Sequence, residues 1–462
     1  MKLLLMQPKS ELSLLGQTSH GKAGMPRLTL PVLAALTPPD VDVQIVDCRV
    51  QAIDYESPVD LVGITAMTCE APAAYRIADA FRARNVPVVM GGYHATFMPE
   101  EAGLHADAVV IGEAELTWRD VIEDFRSGRP RSSYAADRLC DMSSELPVPR
   151  RDLLDRTKYF TFNTIQATRG CSKGCAFCSI DAFFGPTFRK RPPEDVVSEI
   201  RGLLSPQANP KGRIDRHVVF IDDNLTLDRG YARDLFKALT PLGIQWACQA
   251  TTELAEDAEL LRLAALSGCT FVSVGFESFN PLTVARLRKN WAAAGTTGGQ
   301  ATAQPLEAVC DGFRRTVDRF HKQGVCVLGN FMLGFEDDDA DVIAKTIRAS
   351  LEIHVDAAYF HIVTPLPGTR PYDDLVSEDR ITTREWTQYD SNHVVFTPKL
   401  LSAGELQAGL WQAYREYYSI RRIASRVFRS SRHLGARLGM NWSTRRKWKR
   451  MMARSSHLDE TS

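Results

Sequence analysis

Apolar and β-branched runs alternate with helical periodicities along most of the chain. Over residues 1–127 the runs at 2–7, 43–47, 61–68, 86–92 and 107–113 predict strands, and patterns at 27–36, 71–84 and 116–126 predict helices. Apolar runs of this kind, joined through helices, predict an α/β fold with a doubly wound parallel sheet covered on both faces. Such sheets bind ligands in loops beyond the carboxyl ends of their strands. Those loops read Gly63-Ile-Thr65-Ala-Met-Thr68, Gly91-Gly92-Tyr93-His94-Ala-Thr96 and Gly112-Glu113-Ala-Glu115. Glycine and small hydroxyl residues stand there where a bulky ligand would approach the backbone.

A polar, proline-containing stretch at 128–157 reads as a linker. The alternation then resumes, with strands expected at 162–167, 217–221, 245–251, 271–275, 325–333 and 357–363. Helices are expected at 193–204, 229–239, 258–266, 306–323 and 337–352. Six such units over residues 158–400 predict a full or partial (β/α) barrel with its site at the carboxyl ends of the strands. The low-complexity insert Ala292-Ala-Ala-Gly-Thr-Thr-Gly-Gly-Gln-Ala-Thr reads as a mobile loop. Residues 401–462 read as a helical, basic tail.

Composition adds little for the body and more for the tail. The 462 residues are 44% hydrophobic and carry equal numbers of basic and acidic groups, 56 each. Yet 421–462 holds 12 Lys/Arg against Asp459 and Glu460, a net +10 that leaves −10 on the rest. Ile423, Val427, Leu434 and Leu438 recur near helical spacing, with Arg426, Arg429 and Arg437 between them. Two readings stand: a basic amphipathic helix on an anionic membrane surface, or helices packed on the acidic body. Nucleic acid is the weakest partner, since no recognition motif accompanies the charge. The apolar start, Met-Lys-Leu-Leu-Leu-Met, is too short for a secretory h-region and reads as a strand. A cytoplasmic protein is expected, peripheral to the membrane if the first reading of the tail holds.

Of ten cysteines, three lie in Ala167-Thr-Arg-Gly-Cys171-Ser-Lys-Gly-Cys175-Ala-Phe177-Cys178, directly after the first barrel strand. Three local thiolates suit one face of an iron–sulfur cube with one iron left free. Structural zinc needs four closed ligands, and no second Cys or His pair follows at finger spacing. Cys171-x3-Cys175-x2-Cys178, with Phe177 before the last cysteine, resembles the signature of the radical S-adenosylmethionine (SAM) enzymes. The likeness extends over residues 158–398. It implies a [4Fe-4S] cluster on Cys171, Cys175 and Cys178, whose free iron is chelated by the amino and carboxylate groups of SAM and whose electron cleaves it to a 5′-deoxyadenosyl radical. It also implies SAM contacts from Phe177, from Asp222 and Asp223 after the second strand, and from Glu277 and Ser278 after the fourth. Asn330, Met332 and Gly334 complete that set on the fifth strand, where Asn330 replaces a glycine common in the family. An electron donor such as flavodoxin or ferredoxin follows from the same likeness.

Met90-Gly91-Gly92-Tyr93-His94-Ala-Thr96 with Pro99-Glu-Glu101, and Val110-Ile-Gly112-Glu113-Ala-Glu115, resemble the cobalamin-binding domain that precedes many of these enzymes. The likeness implies cobalamin held by Thr65, Thr68, Gly91, Gly92, Tyr93, His94, Gly112 and Glu113. The Asp-x-His-x-x-Gly motif that supplies a lower histidine ligand is absent. His20, in the loop after the first strand, reads as a solvated loop histidine rather than a substitute, and a form without a histidine beneath cobalt is expected. The expected activity is cobalamin-dependent methyl transfer to an unactivated carbon of a small or lipid-like molecule. Radical cyclisation, oxidation or rearrangement without methyl transfer is the runner-up, and a non-catalytic corrinoid carrier or sensor is the alternative of another class. Tyr159, Tyr359, His361 and His393 are candidates to face the substrate at the barrel mouth.

Overall fold

The computed structural model describes residues 1–12, 22–208, 214–287, 305–430 and 432–459; His20 and the insert at 292–302 lie outside them. The N-terminal strands are β1 (Lys2–Gln7), β2 (Asp42–Asp47), β3 (Leu61–Thr65), β4 (Val88–Gly91), β5 (Ala108–Ile111) and β6 (Ser133–Ala135). They form one sheet in the order β2-β1-β3-β4-β5-β6, parallel throughout. Alternate side chains of β1 serve different cores. Leu4 and Met6 join the large core, whereas Leu3 and Leu5 pack with Trp118 and Val121 on the opposite face. Burial on both faces is why these strands read as continuous apolar runs. β6 lies inside the stretch expected to be a linker.

The second half opens with β7 (Thr164–Ile165) and the antiparallel pair β8 (Thr168–Arg169) and β9 (Arg189–Lys190). It continues with β10 (His217–Phe220), β11 (Gln245–Ala250), β12 (Cys269–Glu277), β13 (Cys326–Leu333) and β14 (Ala357–Ile362). Their order, β14-β13-β12-β11-β10-β7, is parallel throughout and describes a six-stranded open arc, a partial barrel. One hydrophobic core runs from Leu4 and Phe81 through Phe220 and Phe331 to Trp448, so the two halves are packed as one body.

The open edge at β14 is closed by side chains. Helix Ala403–Tyr417 lies against it, and the Tyr418 hydroxyl accepts from Ala358 N at 3.0 Å and donates to Ala358 O at 2.6 Å. The Tyr414 hydroxyl does the same for Phe360, at 3.3 and 2.9 Å. Two tyrosines thereby satisfy edge groups that would otherwise invite another strand.

The tail corrects the expectation of a single amphipathic helix. It forms two helices, Ile420–Val427 and Leu434–Asp459, so Ile423 and Val427 do not share a face with Leu434 and Leu438. Ile423, Val427, Trp448 and Met451 are buried, and Arg437 Nε meets Asp356 Oδ1 at 2.7 Å. Packing therefore accounts for one side of the tail, while Phe428, Leu434, Leu438 and Trp442 remain exposed. Among the described residues no helix is long and apolar enough to cross a membrane.

Candidate active site

The cysteine loop is built by what holds its two ends. After β7 the chain turns back as β8, and a Cβ at Gly170 (φ +87°) would run into the Thr187 carbonyl. The end of β10 holds this turn from below. Asp222, fully buried, accepts from Ala167 N at 3.0 Å, from Thr168 Oγ1 at 2.7 Å and from Thr168 N. Burial pushes its carboxyl up to about 7, against the donors that favour the anion. Asp223 accepts from Gly170 N at 2.8 Å. Asp222, expected at SAM, is thus occupied by backbone and hydroxyl donors, because a strand end facing a tight turn must satisfy that turn first.

Cys171, Cys175 and Cys178 are half-buried thiols outside any disulfide, and Cys178 N donates to Cys175 O at 2.9 Å. Burial pushes the Cys178 thiol up to about 11, and Cys175 and Cys171 add to that shift. No three His, Cys, Asp or Glu side chains among the described residues converge on a single ion. A cubane takes each thiolate on a different iron, so its ligands stand farther apart than those of one zinc. The donor set fits a cluster.

Charged side chains join this loop to the N-terminal sheet. Arg169 Nη1 lies 2.5 Å from Glu113 Oε1 and 2.7 Å from Glu115 Oε1, and Arg189 Nη1 lies 2.7 Å from Glu113 Oε2. Burial alone would raise the Glu113 carboxyl, but the Arg189 and Arg169 guanidiniums hold it below the usual carboxylate range. Neither arginine was singled out from sequence. Their signal, a basic residue on each side of the cysteine loop, has no pattern that names a partner.

Above this clamp a cavity of about 380 Å³ separates the two halves. Thr65, Gly91, Gly92, Tyr93, Gly112 and Glu113 line it from the sheet, and Gln166, Arg169, Phe183 and Asp223 from the barrel. Gly92 has φ +93°, and a Cβ there would come 2.7 Å from Thr65 Oγ1. An ideal Cβ on Gly112 would meet no atom within 4 Å, so backbone is presented to an open cleft. That bare rim fits a large planar cofactor.

Two residues expected on this rim lie elsewhere. Thr68 lines an adjoining cavity of about 110 Å³, with Tyr93 common to both. His94 is turned into the core, where its Nε2 is 2.8 Å from the Tyr75 hydroxyl and its ring packs edge-on to Trp386. Burial holds His94 down to about 4, against the pull of Glu101. Because Gly92 ends β4 with positive φ and a short helix follows at once, successive side chains diverge: Tyr93 faces the cleft and His94 the core.

On the barrel side, Glu277 closes β12 with φ +62°, and the buried Ser278 hydroxyl accepts from Asn280 N at 3.0 Å. Asn330 Nδ2 donates to Ser273 Oγ at 2.8 Å, which bridges β13 to β12. Met332 is half-buried on β13, and the Phe177 ring lies edge-on to Phe335 at 6.0 Å. Gly334 N and Phe335 N donate to buried Asp338, which also takes Asn280 Nδ2. Asp338 was not anticipated, because its acidic neighbours make it look like an ordinary helix cap. Tyr159 is removed from the barrel mouth and donates to Asp47 at 3.0 Å. Tyr359 lies on β14 in contact with Thr444 of the tail. His361 is half-buried near Glu277 and Asp390, and His393 Nδ1 is 2.9 Å from Asp390.

Residues 23–122 match the B12 binding domain family and residues 165–349 match the Radical SAM superfamily. The chain is 32% identical over 431 residues to bacteriochlorophyllide d C-12(1)-methyltransferase of Chlorobaculum tepidum, spanning 92% of this chain and 89% of that one. The chain belongs to the cobalamin-dependent radical SAM enzyme family. A second relative from that organism, bacteriochlorophyllide d C-8(2)-methyltransferase, is 28% identical over 88% of each chain. The radical SAM methyltransferase TsrM of Kitasatospora setae, solved with cobalamin and a [4Fe-4S] cluster, has the same fold. Its TM-score is 0.67 at 16% identity, over 97% of this chain and 99% of that one. The enzyme is a cobalamin-dependent radical SAM methyltransferase, and its cofactors are a [4Fe-4S] cluster, SAM and cobalamin.

Proposed function

We propose that this enzyme methylates an unactivated carbon on a substituent of a hydrophobic, tetrapyrrole-type small molecule. The observation that carries the reading is the pair of adjoining cavities, about 380 and 110 Å³, that share Tyr93. The larger is assigned to cobalamin through Thr65, Gly91, Gly92, Tyr93, Gly112 and Glu113. The smaller admits a substituent, and the body of the substrate lies across its mouth against Met67 and Leu366. Relatives named for bacteriochlorophyllide, and a hopanoid C-2 methylase of Rhodopseudomonas palustris at 26% identity, support a hydrophobic substrate.

Cys171, Cys175 and Cys178 would hold the cluster, and Glu277, Ser278, Asn330, Met332, Gly334, Phe177 and Asp223 would contact SAM. When bound, the cluster supplies the electron that cleaves SAM, and the corrin carries the methyl group. The protein's share is position and shielding. Asp222 fixes the turn that carries the cysteines, Asp338 fixes the Gly334–Phe335 backbone, and Arg169 and Arg189 hold the two halves at one separation. Tyr93, tilted against Phe183 at 4.5 Å between ring centres with Phe97 edge-on to Phe183, keeps water from the space between the cavities.

The test is anaerobic turnover of reconstituted protein with SAM, a reductant, and either bacteriochlorophyllide d or a hopanoid. The reading expects the tetrapyrrole one methyl group heavier, with S-adenosylhomocysteine and 5′-deoxyadenosine formed together. Methylation of the hopanoid alone, or 5′-deoxyadenosine without S-adenosylhomocysteine, overturns it.

A further inference from the structure

We infer that the outward face of the last helix is a docking surface for an anionic lipid bilayer. The rotation of this helix is set by its inner face. Arg437, Asn441, Thr444, Trp448 and Met451 are all buried, at alternating spacings of four and three. Arg437 is paired with Asp356, and Asn441 Nδ2 donates to Asp356 O at 2.8 Å. With that face committed, Leu434, Leu438 and Trp442 recur every four residues on the outside, at 37%, 46% and 43% exposure. The Arg446 guanidinium continues the stripe, 5.7 Å over the Trp442 ring. Phe428, 73% exposed, adds an apolar side chain at the bend between the two tail helices.

Charge selects the occupant. Arg421, Arg422, Arg429, Arg432, Arg446, Lys449 and Arg450 are exposed, and no Asp or Glu occurs from 421 to 454. An exposed apolar stripe with a tryptophan, flanked only by cations whose aliphatic stems extend it, matches the headgroup region of an anionic membrane. A second copy is disfavoured, because two such faces repel each other. A nucleic acid backbone would use the cations and gain nothing from Leu434, Leu438 and Phe428. This inference stands independently of the substrate.

Co-sedimentation of the full chain with vesicles tests it. The protein is expected to pellet with phosphatidylcholine vesicles containing phosphatidylglycerol, and not with phosphatidylcholine alone. The triple substitution Arg446→Gln, Lys449→Gln, Arg450→Gln should weaken binding roughly a hundredfold, since each cation near the surface contributes about fivefold. Leu438→Ser with Trp442→Ser should also weaken it, with the circular dichroism spectrum and melting temperature unchanged, because both side chains are exposed. Equal binding to neutral vesicles, or wild-type binding by either variant, overturns the inference. So does release of the vesicles by single-stranded nucleic acid at equal charge, or a dimer in sedimentation velocity that Trp442→Ser abolishes.

Discussion

Removing Glu113 is expected to cost about twice as much stability as removing Arg169, although they are partners in one ion pair. The Glu113 side chain is 3% exposed and takes Arg169, both terminal nitrogens of Arg189 and the Cys140 amide, at 2.5 to 2.9 Å. Glu113→Ala strands two guanidiniums and one amide. Arg169 then falls back on Glu115, and Arg189 on the Cys140 carbonyl at 2.8 Å. Breaking a buried pair costs about 3–5 kcal/mol, and the double partnership places Glu113→Ala near the top of that range. Arg169→Ala leaves Glu113 with Arg189 and deprives only the half-buried Gln166 and Glu115 of a partner, so about 2–3 kcal/mol is expected. Urea denaturation followed by fluorescence reads both, since Trp118, at the start of helix Trp118–Arg126, is buried against the adjoining sheet. The sign with pH follows from the lowered Glu113 carboxyl. The contribution is complete above the unfolded carboxylate range and is lost as pH falls through the lower folded value, so the two variants and wild type should converge in acid. Arg169→Ala as damaging as Glu113→Ala, or a Glu113→Ala cost below about 1 kcal/mol, would refute this account of the clamp.

Three further outcomes are expected. Folded His94 stays neutral down to about 4 while the unfolded residue takes a proton near 6.5, so stability is complete above that range. As pH falls toward 4 up to about 3 kcal/mol is lost; a melting curve series should show His94→Gln flattening this slope, and an unchanged slope would count against a neutral buried imidazole. Tyr418→Phe orphans both the amide and the carbonyl of Ala358 at the sheet edge and should cost about 2 kcal/mol in chemical denaturation; a neutral result would mean water serves that edge. Gly92→Ala combines positive φ with a clash on Thr65 and should lower stability by about 2–3 kcal/mol, whereas Gly112→Ala, with open space, should cost only about 1. Titration of hydroxocobalamin should then rank Gly112→Ala as weakened despite its milder thermal shift; unimpaired binding would move the corrin off that rim.

Much of this arrangement is legible in the chain because its signals are local. Strands buried on both faces announce themselves as apolar runs, and three thiols within eight residues announce a cluster. β6, Ser-Tyr-Ala, is too short to carry a period, and only the buried Tyr134 marks it. β7 ends earlier than its apolar run because Ala167 and Thr168 leave the sheet to bond with Asp222. The clamp is invisible for a different reason. Arg169 lies 56 residues from Glu113, and Arg189 lies 76 away, so nothing in local composition pairs them. His94 fails by side-chain direction: it neighbours Tyr93 in the right loop, and a reading by loop cannot tell which of two successive residues turns inward. In the tail, the helical spacing runs across the break between the helix ending at Val427 and the one beginning at Leu434, and the shared face dissolves there.

The central claim is that one chain builds two separate cofactor sites that face each other across the domain junction. Iron and cobalt content of the anaerobically reconstituted protein, beside the variant with Cys171, Cys175 and Cys178 all replaced by Ala, tests it most directly. The account predicts about four irons and about one cobalt per chain in the wild type, and in the variant loss of iron with cobalt retained. Iron that persists without the three cysteines, or a wild type that takes up no cobalt, would contradict it.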